Sequence, residues 1–252
     1  MEEGIAMNEV LREIKNRKSV RVFEDKPIPD EMKKEILGAA IEAPTAGNMM
    51  LYSIIDVTDE VIKEKLAQLC DHQPFIAKAP LVLIFLADYQ RWYDAFNYEG
   101  CEPRKPGEGD MLLACADAII AAQNTVVAAE SLGIGSCYIG DIIENCETIR
   151  KIFELPDYVL PAAMLVYGYP TEAQLKRKKP VRFEQQYIVS QNKYHRLSKQ
   201  EQEKMHSVKN EKSGLGDRNI SEDIKALCKR KYMSDFSLEM SRSAAQYIKK
   251  FK

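Results

Sequence analysis

Apolar positions switch between helical and strand spacing through the first 170 residues. Val10, Leu11 and Ile14 predict a short amphipathic helix near residues 7–16. A second helix opens at Pro29-Asp30, with Asp30 the expected N-cap and Met32, Ile36, Leu37 and Ala40 on one face; Pro44 lies beyond its end. Residues 52–57 are rich in Ile and Val and read as a strand. Asp59 is placed to cap a helix through Cys70 that turns Ile62, Leu66 and Leu69 inward. After Pro80 comes LVLIFLAD, a continuous apolar run of strand length, which suits a strand covered on both faces. Residues 136–139 and 161–167 supply two more strands, with a helix at 145–154 between them.

The longest helical stretch is 110–132, DMLLACADAIIAAQNTVVAAESL, with Gly133 as its stop. It is apolar nearly all round, so it is expected to be buried, as a central helix, a subunit interface or both. Residues 90–109 look less regular and hold the single Trp, Trp92; they read as an active-site loop or lid, or as a plain surface insertion. Residues 183–197 look extended. Beyond them lie helical stretches broken by Gly214-Leu215-Gly216, the last with Phe236, Met240, Ala244 and Ile248 on one stripe. The expected division is a domain over 1–197 and a helical C-terminal extension over 198–252. Strands alternating with helices fit an α+β or α/β sandwich.

At 252 residues, 45% hydrophobic and 29% charged, the chain is ordinary globular protein with room for one large domain. Its net charge of -2 is unevenly placed: residues 171–252 carry 20 Lys and Arg against 10 Asp and Glu. Those cations alternate with acids and few aromatics interleave with them, so a tail packing on an acidic body is favoured over nucleic-acid binding. The six cysteines form no C-x-x-C pair and sit mostly in apolar contexts, as buried small hydrophobes. The segment MEEGIAMNEV lacks a basic, then apolar, leader pattern, and no stretch has about 18 uninterrupted apolar residues. No membrane span is expected, and a reducing cytoplasm is.

Chemistry concentrates first at Arg17-Lys18-Ser19-Val20-Arg21. In an extended stretch Arg17, Ser19 and Arg21 share a face, which suits phosphate; a solvated basic surface is the alternative. His72, His195 and His206 are scattered without partners at ligand spacing, so no metal is expected. No G-x-G-x-x-G follows a strand, and no G-x-S-x-G elbow occurs.

The basic run is followed in order by Pro27-Ile28-Pro29, Ala43-Pro44-Thr45-Ala46-Gly47-Asn48, Tyr138-Ile139-Gly140-Asp141 and Lys176-Arg177-Lys178-Lys179-Pro180. In that combination the chain resembles the FMN-dependent nitroreductase family, nearest its NADPH-preferring nitro and flavin reductase branch. The resemblance runs from about residue 8 to about residue 200. It implies an α+β nitroreductase-like sandwich, a mainly antiparallel central sheet flanked by helices, in an intertwined homodimer with the C-terminal extension packed on it. It also implies FMN as cofactor and NADPH or NADH as co-substrate. Hydride transfer at flavin N5 needs no catalytic side chain; the electrons then pass, ping-pong, to nitroaromatics, quinones or free flavin.

Carried over residue by residue, Arg17, Lys18, Ser19 and Arg21 match the N-terminal flavin-binding run, with Lys18 where many relatives have Arg. Thr45, Ala46 and Asn48 match a loop beside the flavin, often given by the other subunit. Gln73 matches a flavin-contacting glutamine. Tyr138, Ile139, Gly140 and Asp141 match the segment against the ring, with Asp141 where Gly is common. Lys176 and Lys178 match the pair that completes the phosphate grip, and Arg177 takes that role if the register slips by one. The rival readings are a specialised flavin enzyme of the same fold, such as a dehalogenase, and a non-catalytic FMN-binding protein.

Overall fold

The computed structural model describes residues 8–216 and 218–252. Residue 7, the expected start of the first helix, lies outside them. The chain contacts separate into two units, Met1–Arg177 with Glu239–Lys252, and Lys178–Leu238; the sequence had suggested a division after residue 197.

The first unit is built on four strands: β1 (Tyr52–Asp56), β2 (Leu81–Asp88), β3 (Gly135–Ile139) and β4 (Val159–Gly168). Their order is β1-β2-β4-β3, and every neighbouring pair is antiparallel. Tyr52 faces Ala87, Leu83 faces Leu165, and Gly135 faces Gly168. All eight residues of β2 are buried. Val82, Ile84 and Leu86 pack with Leu66, Cys70 and Ile76, while Leu81, Leu83 and Phe85 pack with Ile36, Ala121 and Val126. Alternation sends successive side chains to opposite faces, and both faces carry a helical layer, so the unbroken apolar run is what a central strand needs.

The helices of this unit are α1 (Glu9–Asn16), α2 (Asp30–Ile41), α3 (Glu60–Leu69), α4 (Gln90–Tyr98), α5 (Glu108–Ser131), α6 (Cys146–Ile152) and α7 (Glu172–Lys176). Asp59 caps α3, accepting from the amides of Val61 and Ile62. Asp30 falls inside the first turn of α2; Pro29 occupies the cap position and gives no side-chain bond. Residues 90–98, expected as loop, form α4, and only 99–107 remain irregular.

Among the described residues α5 is the one helix long and apolar enough to cross a membrane. It instead buries Met111, Ala114, Ala118, Ala121, Val126 and Ala129 against the sheet layer. Its opposite face is not buried: Leu112, Leu113, Ile119 and Ile120 are 65%, 52%, 40% and 39% exposed.

The second unit holds α8 (Lys199–Lys212) and α9 (Ile220–Leu227), then a single π-turn at Cys228–Tyr232. Ser198 caps α8 in a capping box with Glu201. Residues 183–197, expected to be extended, are irregular with one 3-10 turn. The last helix, α10 (Asp235–Ile248), returns to the first unit from Glu239 onward. Its buried stripe is Ser243, Tyr247 and Phe251, one residue out of phase with the apolar stripe read from the sequence. Hydrogen bonding decides the phase. Ser243 Oγ donates to the Ile143 carbonyl at 2.6 Å and accepts from the Cys146 amide at 2.8 Å.

Candidate functional site

The basic run leaves α1 as extended chain. The Val20 amide donates to the Ser136 carbonyl at 2.9 Å, and Ser19 bridges Ser136 in parallel. Phe23 forms a second bridge to Pro170. The run is therefore laid along β3, and glycine makes the approach possible: a Cβ on Gly135 would stand 2.5 Å from Val20 Cγ2.

Arg17, Ser19 and Arg21 gather on one side of this segment, around the Cys137 thiol. Burial pushes that thiol up, against the pull of the Arg21 and Arg17 guanidiniums and the Ser19 hydroxyl. Lys18 points the other way, donating to the carbonyls of Leu175 and Arg177, each at 2.6 Å. Its ammonium pins the end of α7. Arg177 answers by donating from Nη2 to the Ser19 carbonyl. Lys176, by contrast, is exposed and paired with Glu172 at 2.5 Å. Lys178 is exposed and opens the second unit. Of the late basic cluster, the residue brought to the run is Arg177.

Three buried polar atoms along this line have no partner: Arg17 Nε, Arg177 Nε and Ser136 Oγ. A buried donor without an acceptor costs about 1–3 kcal/mol. The Arg17 and Arg177 guanidiniums bring to this segment positive charge and N–H donors of the kind that bind an anion, a flavin phosphate among them.

The segment following this run along the sheet is β3 itself. Tyr138 is half-buried, and burial raises its hydroxyl to about 12 while Arg17 pulls it down. Its hydroxyl donates to Gln123 Oε1 on α5 at 3.4 Å. Ile139 is buried in the core, and Gly140 is exposed at the turn. Gln73 Nε2 donates to Asp141 Oδ2 at 2.6 Å and to the Cys70 carbonyl at 2.9 Å. Behind that pair Glu144 is buried, with Oε1 unpartnered. Burial, then the charges of Asp141 and Asp71, raises it to about 7.

The loop of Thr45, Ala46 and Asn48 forms a separate cluster. Gly47, Asn48 and Met50 all have positive φ, at 56°, 57° and 50°. Asp117, 3% exposed on α5, holds the loop from below. It accepts from the Thr45 hydroxyl, the Ala46 amide at 3.0 Å and the Leu51 amide at 3.1 Å. From α4, Trp92 Nε1 donates to the Met49 carbonyl at 2.7 Å, and Arg91 Nη1 to the Met50 carbonyl at 3.3 Å. Asn48 is exposed. Among the described residues no hydrogen bond joins this loop to the basic run; α5 meets the loop through Asp117 and β3 through Gln123. The sequence reading missed Asp117, whose one signal is an acid inside LLACADAII; residues 90–109, read as an active-site loop or lid or as a plain surface insertion, hold α4, which braces the loop through Arg91 and Trp92.

The chain is similar to known proteins over most of its length. The family model described as Nitroreductase family matches residues 14–169. A Cr(VI) reductase of Pseudomonas sp. (strain G-1) is 33% identical over 230 residues, covering 91% of this chain and 92% of that protein. An FMN reductase [NAD(P)H] of Bacillus subtilis (strain 168) is 29% identical, covering 90% and 93%. The solved structure of B. megaterium NfrA2 superposes with a TM-score of 0.78 at 30% identity, over 94% of this chain and 98% of that one.

Proposed function

Because this chain belongs to the nitroreductase family, we propose that it is a homodimeric, cytoplasmic, FMN-dependent oxidoreductase using NADPH or NADH. FMN, when bound, would supply the redox chemistry, hydride acceptance from NADPH or NADH and ping-pong two-electron reduction of a nitroaromatic, a quinone or free flavin. The observation that carries the reading is the gathering of the Arg17 and Arg21 guanidiniums and the Ser19 hydroxyl around Cys137, with Arg177 brought to the Ser19 carbonyl.

In this reading Arg17, Arg21 and Arg177 hold the phosphate, with Ser19 as hydroxyl donor. Lys18 keeps Arg177 in place rather than touching the cofactor. The backbone of residues 138–141 lies against the ring, and Gln73 fixes that turn through Asp141. Asn48, Thr45 and Ala46 come to the flavin from a second copy of the chain. Two facts support that arrangement: the loop has no described bond to the basic run of its own copy, and α5 leaves an apolar face open for a dimer seam. The helical stretch beyond residue 197 carries an excess of cations over acids. Its cations Lys229 and Arg230 are the candidates for the 2′-phosphate of NADPH; Arg218 is already paired with Asp223 and Lys231 lies over the Phe236 ring.

Anaerobic titration of the purified protein with NADPH, followed by visible absorbance, tests the reading. A yellow protein should bleach stoichiometrically and recover on adding a quinone. A colourless protein that takes up no added FMN overturns it.

A further inference from the structure

We propose that Asp117 is the positioning residue of the active site, fixing the strained loop of Thr45, Ala46 and Asn48 in its flavin-facing conformation from inside α5. The inference rests on the flavin reading above and adds to it a residue that never touches the cofactor.

Asp117 is a carboxylate 3% exposed in a helix whose buried neighbours are mostly alanine and methionine. A buried charge in such surroundings persists only when its oxygens are well supplied with donors. Here both oxygens are engaged by a single loop. The Ala46 amide reaches Oδ1, and the Leu51 amide and Thr45 hydroxyl reach Oδ2. Thr45 Oγ1 in turn accepts from the Met50 amide at 2.8 Å, so one carboxylate organises donors at residues 45, 46, 50 and 51.

Between those anchor points lie the three positive-φ residues Gly47, Asn48 and Met50. The left-handed region is unfavourable for side chains such as that of Met50, and such conformations hold only where the surroundings over-determine them. Hydrogen bonds from α4 fix the Met49 and Met50 carbonyls, but Asp117 alone collects the loop's donors at both ends. Its removal would free the backbone that carries Asn48 without removing any group that meets the flavin.

Asp117 is also on the helix whose outward residues form the exposed apolar seam. The same rigid element thus sets the loop and faces the second copy, so the loop's position is fixed relative to the dimer rather than only to its own sheet.

The test compares wild type with Asp117→Asn, Thr45→Val and Thr45→Ser. FMN affinity is read from quenching of flavin fluorescence, and protection of the Ala46 and Leu51 amides from hydrogen exchange. Asp117→Asn turns one acceptor oxygen into a donor facing other donors, and Thr45→Val deletes the hydroxyl relay; Thr45→Ser keeps it. The expected result is FMN binding weaker by about tenfold or more in the first two. Amide protection should be lost locally in both while the dimer stays folded, and Thr45→Ser, which keeps the hydroxyl relay, should retain it. If Asp117→Asn does not fold, the contrast in Ala46 and Leu51 amide protection between Thr45→Val and Thr45→Ser decides. Unchanged FMN affinity in a variant that has lost thermal stability would make Asp117 a packing residue and overturn the proposal alone. A wild type that takes up no FMN would overturn the flavin reading together with it.

Discussion

Gly135 and Val20 divide one small space between them: a Cβ at position 135 would meet Val20 Cγ2 at 2.5 Å and Val20 Cβ at 2.9 Å. This contact is where the basic run is pressed onto β3, since the neighbouring Val20 amide donates to Ser136. Gly135→Ala is expected to push the run off the strand and cost about 1–3 kcal/mol, the usual range for overpacking. Urea denaturation measures the loss, and FMN affinity should fall with it. Adding Val20→Ala should restore both. A single variant as stable as wild type would show that the run is not held by this contact.

The late basic cluster separates into residues that face the run and residues that do not. Arg177 donates to the Ser19 carbonyl and keeps a buried, unpartnered Nε, whereas Lys176 is exposed and paired along its own helix. Arg177→Met is therefore expected to weaken FMN binding by about tenfold to a hundredfold, the loss of a charge-assisted contact. Lys176→Met should change it less than about twofold, as exposed helix pairs are worth only a few tenths of a kcal/mol. Fluorescence titration at two salt concentrations distinguishes them. Equal effects from the two variants would return the phosphate grip to the pair read from the sequence.

Much of this architecture could be read from the chain. The eight-residue run of β2 is unbroken because α2 and α5 cover one face and α3 the other, and that arrangement leaves a direct mark on composition. Strand order left none: Leu83 beside Leu165 is a long-range choice that no local pattern records. Where polar groups decide burial, hydropathy misleads. Ser243 fixes the phase of α10 through two hydrogen bonds, and the apolar stripe one residue away was the wrong guide. Asp117 shows the same blindness at the site. An acid in the middle of an alanine-rich helix carries no sign of the loop it will hold 66 residues away, at Leu51. The basic run was legible because its chemistry is local, while the preference for Arg177 over Lys176 depends on how α7 ends.

Glu144 gives the molecule a pH dependence of definite sign. Burial and the facing acids Asp141, Asp71 and Glu239 raise its carboxyl from 4.5 to about 7. Cys70, whose thiol burial pushes up, adds no positive charge. The folded state thus holds a proton that the unfolded chain releases earlier. The native state binds more protons between about 4.5 and 7, so this group's stabilising contribution is complete below that window and is lost as pH rises through it. Glu144→Gln keeps the neutral form at every pH. It should melt at a higher temperature than wild type at pH 8, and the difference should shrink toward zero by pH 5. A constant difference across that range would mean that Glu144 is ionised in the folded protein throughout.

The exposed seam of α5 sets the last expectation. Leu112, Leu113, Ile119 and Ile120 recur at helical spacing on the face turned away from the sheet, and Gln123 on that face meets the Tyr138 hydroxyl. A contiguous apolar stripe of this kind suits a homodimer core, which is depleted in charge. Ile120→Lys places an ammonium in that core at a cost of about 1–3 kcal/mol, a tenfold to hundredfold weaker association. Sedimentation velocity should show wild type as a dimer and the variant shifting toward monomer at equal concentration. FMN should be lost in parallel, because the proposed arrangement has the loop carrying Asn48 supplied across that seam. Leu175→Lys, a change at an apolar residue 60% exposed on α7, should leave the dimer intact. A variant that becomes monomeric yet binds FMN as wild type would place both halves of the flavin site within one copy of the chain.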